Sequence, residues 1–278
     1  MRYLTLLLFS LALGGCNTID LGQFGEVGAT LQKAFVPATE AEETDIGRES
    51  AAVLLGAAPL LNDARVQAYV NRVGMWLALQ SDRPDLRWRF AVLDDTDINA
   101  FAAPGGYVFI TKGLLARLQN ESELAGVLAH EIGHVVAMHH LTAIRKEARM
   151  KLAGMAVELA LDDNVQEKEQ LRVLAGGARL VYARGLDRRD EYDADRIGVI
   201  LAARAGYDPY GLVTVLQTLE RMNQDASELG FLLKTHPRPG DRIARLDKLM
   251  QGKMDGLSGS ALGEERFRRE LAHLAGRR

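Results

Sequence analysis

The sequence predicts an α+β fold that is mostly helical and carries one small β-sheet. Several stretches, such as residues 66–77, repeat apolar residues every three or four positions, which is the period of a helix with one buried face. Residues 86–93 instead alternate apolar side chains with Arg87 and Arg89, which is the period of a half-buried strand. Many helical stretches beside few extended ones are typical of this fold class.

The other elements follow in order along the chain. Pro104-Gly105-Gly106 is a turn sequence that separates two extended pieces, residues 98–102 and 107–111. Helical patterns then cover six stretches, at residues 121–140, 141–161, 171–184, 188–205, 209–223 and 238–249. We expect one domain over residues 41–250, followed by a helical tail over residues 251–278.

Composition excludes several classes of protein. The 278 residues include 34 Lys and Arg against 37 Asp and Glu, and the net charge of −3 without a long basic run argues against a nucleic-acid-binding protein. A hydrophobic fraction of 47% with 26% charged residues is ordinary for a globular protein and excludes a disordered chain. The single cysteine excludes an intramolecular disulfide.

The amino terminus is typical of an export signal. Its apolar stretch, residues 4–13, is too short to span a bilayer, and it ends in Leu-Gly-Gly before Cys16, which resembles the signal of bacterial lipoproteins. We expect a signal peptide over residues 1–15, lipidation of Cys16 and a tether over residues 16–40. Asn17, in place of an aspartate, favours the outer membrane and its periplasmic face. An ordinary secretory signal with an incidental cysteine is the alternative.

The pattern with chemical meaning is His-Glu-x-x-His at residues 130–134, inside the predicted helix 121–140. An offset of four residues places His130 and His134 on one helix face, one turn apart, so that both imidazoles reach a single ion. Neutral imidazole suits zinc at roughly 2.0–2.1 Å. Glu131 is next to the first histidine, where it can take a proton from a water on that ion. The pattern predicts one zinc ion per chain; a core helix with incidental histidines is the alternative.

A catalytic zinc needs a third protein ligand and an open position, and His140 is one candidate. It follows His134 by six residues, a spacing used where a glycine lets the chain leave the helix, but Ala137 stands at that position here. On a continuous helix, His140 would lie about 240° around the axis from His134. We therefore expect His140, like His139, to be a solvated histidine at the helix end.

Glu191 is the stronger candidate for the third ligand. Glu191 and Asp195 are also four residues apart, hence on one face of the predicted helix 188–205, among apolar and small residues such as Ile197 and Gly198. We expect Glu191 to complete a site of two histidines and one carboxylate. Asp195 could then accept a hydrogen bond from the free ring nitrogen of a ligand histidine. A solvated acidic helix face is the alternative.

Together these motifs resemble the HtpX-like and CAAX-prenyl-protease-like zinc metallopeptidases, peptidase family M48. The motifs, within about residues 40–250, are His130-Glu131-x-x-His134, Glu191-x-x-Ala194-Asp195, Asn99-Ala100-Phe101-Ala102 before Pro104-Gly105-Gly106, and Thr235-His236-Pro237 followed by Arg242-Ile243. The resemblance implies a zincin-like (gluzincin) domain with its small β-sheet packed beside the His-Glu-x-x-His helix. It is greatest for the periplasmic BepA/LoiP-type lipoprotein branch, in a short form without helical repeats.

The resemblance also implies roles for further residues. His236 would donate a hydrogen bond to the oxyanion formed during hydrolysis, with Arg242 nearby, or its loop would cap the metal and hold the enzyme latent. Asn99, Ala100 and Phe101 would form the edge strand to which a substrate backbone pairs. The alternatives are a His-Pro turn without a catalytic role and a simple loop at residues 99–101.

We therefore expect a zinc endopeptidase of the bacterial periplasm, lipid-anchored at the outer membrane, that cuts misfolded or unassembled envelope proteins. Its expected partners are those polypeptides, the membrane through Cys16 and the outer-membrane assembly machinery, without nucleic acid. A chaperone or assembly lipoprotein that keeps zinc but has little proteolytic activity is the second hypothesis. A metzincin-type enzyme that uses His140 as a ligand is the third.

Overall fold

The structure, a computed structural model, describes four stretches of the chain: residues 38–159, 166–222, 232–258 and 262–275. The predicted signal peptide, Cys16 and most of the predicted tether lie outside these stretches. Within them, helices surround a three-stranded sheet, which confirms the mostly helical α+β class. Among the described helices, none combines the length and apolar character needed to cross a membrane.

The elements largely follow the predicted order. The strands are β1 (Arg89–Leu93), β2 (Ala100–Ala103) and β3 (Tyr107–Thr111). The helices are α1 (Glu40–Ala57), α2 (Ala64–Ala78), α3 (Lys112–Leu115), α4 (Glu121–Val136), α5 (His139–Leu159), α6 (Gln166–Arg184), α7 (Arg188–Arg204), α8 (Gly211–Met222), α9 (Leu232–Thr235), α10 (Pro239–Met250) and α11 (Glu264–Ala275).

Strand β2 lies at one edge of the sheet. The strand order is β1-β3-β2, with β1 parallel and β2 antiparallel to the central strand β3. The turn between β2 and β3 contains Gly105 and Gly106 at φ angles of 73° and 91°, a left-handed region that glycine enters without steric cost. The turn is held from α1, because buried Glu43 accepts a hydrogen bond from the amide of Gly105 and pairs with Arg83.

Helix α4 contains the His-Glu-x-x-His motif and packs against β2 and β3. It begins after Asn120, whose side chain accepts a hydrogen bond from the amide of Glu123 and caps the helix. It ends at Val136, so the predicted continuous helix over residues 121–140 is wrong at its end. Met138 has a φ of 57°, and the chain turns there before α5 begins. No other non-glycine residue of the described stretches has a positive φ.

Two glycines let α4 and α7 approach closely beside the predicted metal ligands. A Cβ atom added to Gly198 of α7 would lie 2.9 Å from the backbone nitrogen of His130. A Cβ atom added to Gly133 of α4 would lie 3.0 Å from the carbonyl oxygen of Ala194. Side chains on the facing surfaces of the two helices are thereby brought within reach of one another.

The C-terminal helix joins the same core. The carbonyl of Leu262 accepts hydrogen bonds from the amides of Glu121 and Ser122 at the start of α4. Arg266 forms an ion pair with the carboxylate of Glu121, and Phe267 is buried in the main hydrophobic core. Residues 262–275 therefore contact the first turn of α4, although the boundary at residue 250 stays a prediction.

The close approach of the two helices leads to a stability prediction. Gly198→Ala should lower the free energy of unfolding by about 1–3 kcal/mol, because its methyl group meets backbone rather than a flexible side chain. Gly56→Ala is the matched control, since a Cβ atom added there meets nothing within 4 Å. It should leave stability unchanged or raise it by up to about 1 kcal/mol. Urea unfolding measures both, and equal stability of the two variants would contradict the packing.

Candidate metal centre

Three buried side chains converge between α4 and α7. The Nε2 atoms of His130 and His134 lie 3.2 Å apart. Oxygen atoms of the Glu191 carboxylate lie 3.7 Å from Nε2 of His130 and 3.5 Å from Nε2 of His134. One potential ligand atom from each residue lies within 4.8 Å of the others. The structure thus brings together the three side chains that the sequence predicted as zinc ligands.

The donor atoms fit a zinc ion. Two imidazole nitrogens and a carboxylate oxygen are a ligand set of catalytic zinc sites, which keep a fourth position open. The Oε2 atom of Glu191 is buried without a hydrogen-bond partner among the described residues, which is costly unless a cation compensates it. Burial raises the pKa of Glu191 well above its usual value and lowers the pKa of His130 and His134. The imidazoles are therefore neutral, as metal binding requires.

The ring nitrogen of His130 that faces away from Glu191, Nδ1, contacts Asp195. Its Nδ1 atom lies 3.0 Å from Oδ1 of Asp195, and both residues are buried. Arg242 donates two hydrogen bonds to the same carboxylate, at 2.6 Å and 2.9 Å. Burial by itself would raise the pKa of Asp195, but Arg242 and His130 outweigh it and hold that pKa well below its usual value. Asp195 is therefore an anion between a metal-ligand histidine and an arginine.

The expectation that His139 and His140 are solvated is wrong. His139 is only 8% exposed, and its Nδ1 atom lies 3.1 Å from Nδ1 of His134. His140 stacks on Tyr182 with ring centroids 5.2 Å apart, and burial lowers its pKa to about 3. The physical reason is the turn at Met138, which returns both histidines toward α4 instead of continuing the helix.

A small cavity lies beside the converging ligands. Its walls include Glu131 and Glu191 from the facing helices, Ala100 and Phe101 from β2, and also His140, Val181, Tyr182, Gly185, Leu186, Thr235 and His236. Burial raises the pKa of Glu131 to about 8. The Nε2 atom of His236 lies 4.0 Å from Oε2 of Glu191, and its Nδ1 atom is 3.0 Å from the Thr235 hydroxyl. Arg242 is not among the residues that line this cavity.

The predicted substrate strand lies at the cavity. Ala100 and Phe101 belong to the edge strand β2, and both line the cavity. Asn99 is buried directly before the strand, and its Oδ1 atom accepts a hydrogen bond from the amide of Ala100. Its Nδ2 atom has no hydrogen-bond partner among the described residues. The structure therefore places two of the three residues on the cavity wall and the third beside it.

Two residues near the site were missed by sequence reasoning. Tyr182 lines the cavity and donates a hydrogen bond of 2.9 Å from its hydroxyl to the carbonyl of Ala102. Its offset of four residues from buried Ala178 was the available signal, because it places both on one face of α6. His139 had no such signal, since its position depends on where α4 ends.

Comparison with known proteins matches residues 64–250 to peptidase family M48. The chain is 32% identical over 208 residues to the beta-barrel assembly-enhancing protease of Escherichia coli strain K12, covering 73% of this chain and 42% of that protein. It is 32% identical over 232 residues to the putative beta-barrel assembly-enhancing protease of Vibrio cholerae, covering 82% and 46%. It is 33% identical over 183 residues to the mitochondrial metalloendopeptidase OMA1 of Schizosaccharomyces pombe, covering 65% and 52%. The chain therefore spans less than half the length of these two bacterial relatives.

The buried carboxylate of Glu191 leads to a prediction for pH dependence. Because burial raises its pKa, folding of the chelator-treated protein takes up a proton, and stability falls as the pH rises above the ordinary glutamate pKa. Glu191→Gln carries no charge and should be more stable than the wild type at pH 8 by about 1–3 kcal/mol, with a smaller difference at pH 5. Urea unfolding in excess chelator tests this. The prediction would be wrong if the wild type had a higher free energy of unfolding than Glu191→Gln at pH 8.

Proposed function

The chain belongs to peptidase family M48, and we propose that it is a zinc-dependent endopeptidase with His130, His134 and Glu191 as the metal ligands. The observation that carries the proposal is the convergence of these ligands beside a cavity that also holds Glu131 and an edge strand. Peptide hydrolysis at a metal needs ligands for the ion, a general base and a strand that can bind the substrate backbone. A purely structural zinc would need neither the acid nor the cavity.

Glu131 is the general base in this proposal. A bound zinc ion supplies a Lewis acid that polarises a scissile carbonyl and acidifies a water molecule. The Glu131 carboxylate takes the proton from the attacking water and later delivers it to the leaving amine. Burial raises the pKa of Glu131 to about 8 in the metal-free site. A zinc ion held beside it would lower that pKa and favour the carboxylate form that a general base needs.

His236 and Arg242 take different roles. The Nδ1 atom of His236 lies 3.0 Å from the Thr235 hydroxyl. When that hydroxyl donates to Nδ1, the single hydrogen of the neutral ring is on Nε2, which lies 4.0 Å from Oε2 of Glu191 and would stabilise the oxyanion of the tetrahedral intermediate. Such a donor contributes about 3–4 kcal/mol to the transition state. Arg242 instead holds Asp195, and its Nη2 atom also lies 3.3 Å from Nδ1 of His130, which makes it a positioning residue. Asp195 in turn would keep Nε2 of His130 directed toward a bound ion, because it contacts Nδ1 on the other side of the ring.

Strand β2 is the proposed site for the substrate backbone. Alternate residues of a strand direct their backbone hydrogen-bonding groups to opposite sides of the strand. The carbonyl of Asn99 accepts a hydrogen bond from the amide of Thr111, so the backbone groups of Asn99 face β3. The backbone groups of Ala100 and Ala102 therefore face away from β3. Asn99 bonds the amide of Ala100, and Tyr182 bonds the carbonyl of Ala102. Among the described residues, the Ala100 carbonyl and the Ala102 amide then remain available to pair with an added strand.

The proposed biological role is protein quality control in the bacterial envelope. The names of two bacterial relatives connect those proteins with beta-barrel assembly. We propose that this chain cleaves misfolded or unassembled envelope proteins at the periplasmic face of the outer membrane, near the assembly machinery. Lipidated Cys16 would anchor it there. An assembly lipoprotein with little proteolytic activity is the alternative, and intact Glu131 beside the ligands argues against it.

The catalytic assignment predicts the behaviour of Glu131→Gln. The variant should bind one zinc ion per chain like the wild type, because the ligands are unchanged, but its casein hydrolysis should fall by about 10²–10⁴-fold without the general base. Exposed Glu265→Gln is the matched control and should keep full activity. A chelator should abolish wild-type activity and added zinc should restore it. Unchanged turnover in Glu131→Gln would refute the assignment.

The anchoring proposal predicts the behaviour of Cys16→Ser. The wild type expressed in a Gram-negative host should fractionate with the outer membrane, because acyl chains on Cys16 hold it there, and the variant should move to the soluble fraction. Glu131→Gln serves as the control, because it should stay with the membrane. A wild-type protein found wholly in the soluble fraction would rule out the anchor.

A further inference from the structure

We propose that His139 is a positioning residue for the zinc site, which holds the second ligand histidine as Asp195 holds the first. The inference rests on the proposed function, because it assumes that His134 binds the ion through Nε2. It concerns a residue that the sequence predicted to be solvated and that lies outside the proposed ligand set. In each of the two ligand histidines, the ring nitrogen that faces away from Glu191, Nδ1, contacts a partner outside the ligand set.

The two ligand histidines have the same orientation toward the site. Each directs its Nε2 atom to the other and to Glu191, at distances from 3.2 Å to 3.7 Å. The Nδ1 atom of each ring is therefore available for a hydrogen bond to a residue outside the ligand set. For His130 that partner is the Asp195 carboxylate at 3.0 Å, and for His134 it is Nδ1 of His139 at 3.1 Å. A ligand histidine needs such a partner to fix its tautomer and ring orientation.

The tautomers of the pair follow from the geometry. When Nε2 of His134 binds a metal, its proton is on Nδ1, so that Nδ1 of His139 must be the acceptor. The remaining proton of His139 is then on Nε2. That atom faces the carboxylates of Asp193 and Asp190, at 3.7 Å and 4.0 Å. The negative charge of the two carboxylates favours a hydrogen on Nε2 of His139. Its Nδ1 atom then has no hydrogen and can accept one from His134.

The backbone places His139 for this contact. On a continuous helix, a side chain five residues after His134 would lie about 140° around the axis and could not meet its ring. Instead α4 ends at Val136 and Met138 adopts a φ of 57°. A left-handed conformation is uncommon for a residue other than glycine and strains the backbone. Strain of this kind persists where the surrounding structure requires it, and here the turn brings His139 back to His134.

Zinc affinity measured on three variants of the full-length chain tests the proposal. His139→Ala removes the acceptor and should raise the zinc dissociation constant by about 10–100-fold, measured by competition with a chromogenic chelator. His139→Asn should stay within about threefold of the wild type, because its amide oxygen can occupy the position of Nδ1. Lys146→Ala is the matched control, because this side chain is exposed on the same helix α5 and is not part of the site. It should leave the dissociation constant unchanged.

The outcomes separate this proposal from the proposed function. A wild type that binds zinc and hydrolyses casein, beside His139→Ala with an unchanged zinc dissociation constant, would overturn the role of His139 alone. Equal losses of affinity in His139→Ala and His139→Asn would also overturn it, because the acceptor would then not be the cause. A wild type without zinc affinity would instead refute the proposed function.

A further variant keeps the test valid if His139→Ala does not fold. Asp190 and Asp193 are partly exposed, so replacing both with asparagine should preserve the fold while it removes the charge that orients His139. The zinc dissociation constant of this double variant should rise by about two- to fivefold, a smaller effect than the loss of a direct partner. The thermal unfolding temperature of the chelated proteins checks folding separately. A dissociation constant equal to that of the wild type would count against the proposal.

Discussion

The close contact between helices α4 and α7 is the constraint on which the rest of the site depends. Gly198 lies against the backbone of His130, and Gly133 lies against the backbone of Ala194, so the backbones of the two helices come close at both positions. This contact brings the buried Glu191 carboxylate to within 4 Å of two imidazoles that burial keeps neutral. A carboxylate in that place is costly unless a cation compensates it. The protein therefore maintains a pocket of donor atoms that a zinc ion would stabilise.

Groups around the ligands account for much of the remaining architecture. The Asp195 carboxylate contacts His130 and is held by Arg242 from α10, while His139 contacts His134 from the first turn of α5. Strand β2 forms one wall of the cavity, and its turn is held by Glu43 of α1. Helices α4, α5, α7 and α10 and the edge strand β2 thus contribute residues to one small site. We infer that much of the helical framework serves to hold a few polar side chains in place, because misplacement by about 1 Å reduces catalysis strongly.

Local patterns were enough to predict much of this arrangement, and tertiary packing explains what they missed. The four-residue offsets of His130 with His134 and of Glu191 with Asp195 identified the two helices and their facing sides, and Pro104-Gly105-Gly106 identified the turn after β2. The end of α4 was not predictable, because Ala137 and Met138 lack the glycine or proline that signals a helix end. The pairing of Arg242 with Asp195 joins residues 47 positions apart and depends on packing between helices, which no spacing rule encodes. Helix α3 has four residues, too few to show a helical period.

X-ray diffraction from crystals of the zinc-loaded protein, recorded on both sides of the zinc absorption edge, would locate the metal among its protein ligands. We expect one anomalous peak per chain, about 2.0–2.2 Å from Nε2 of His130, from Nε2 of His134 and from an oxygen of Glu191, with no ligand bond from His139 or His140. A peak at another place, or one whose third protein ligand is His140 while the Glu191 carboxylate lies apart, would refute the proposed zinc site.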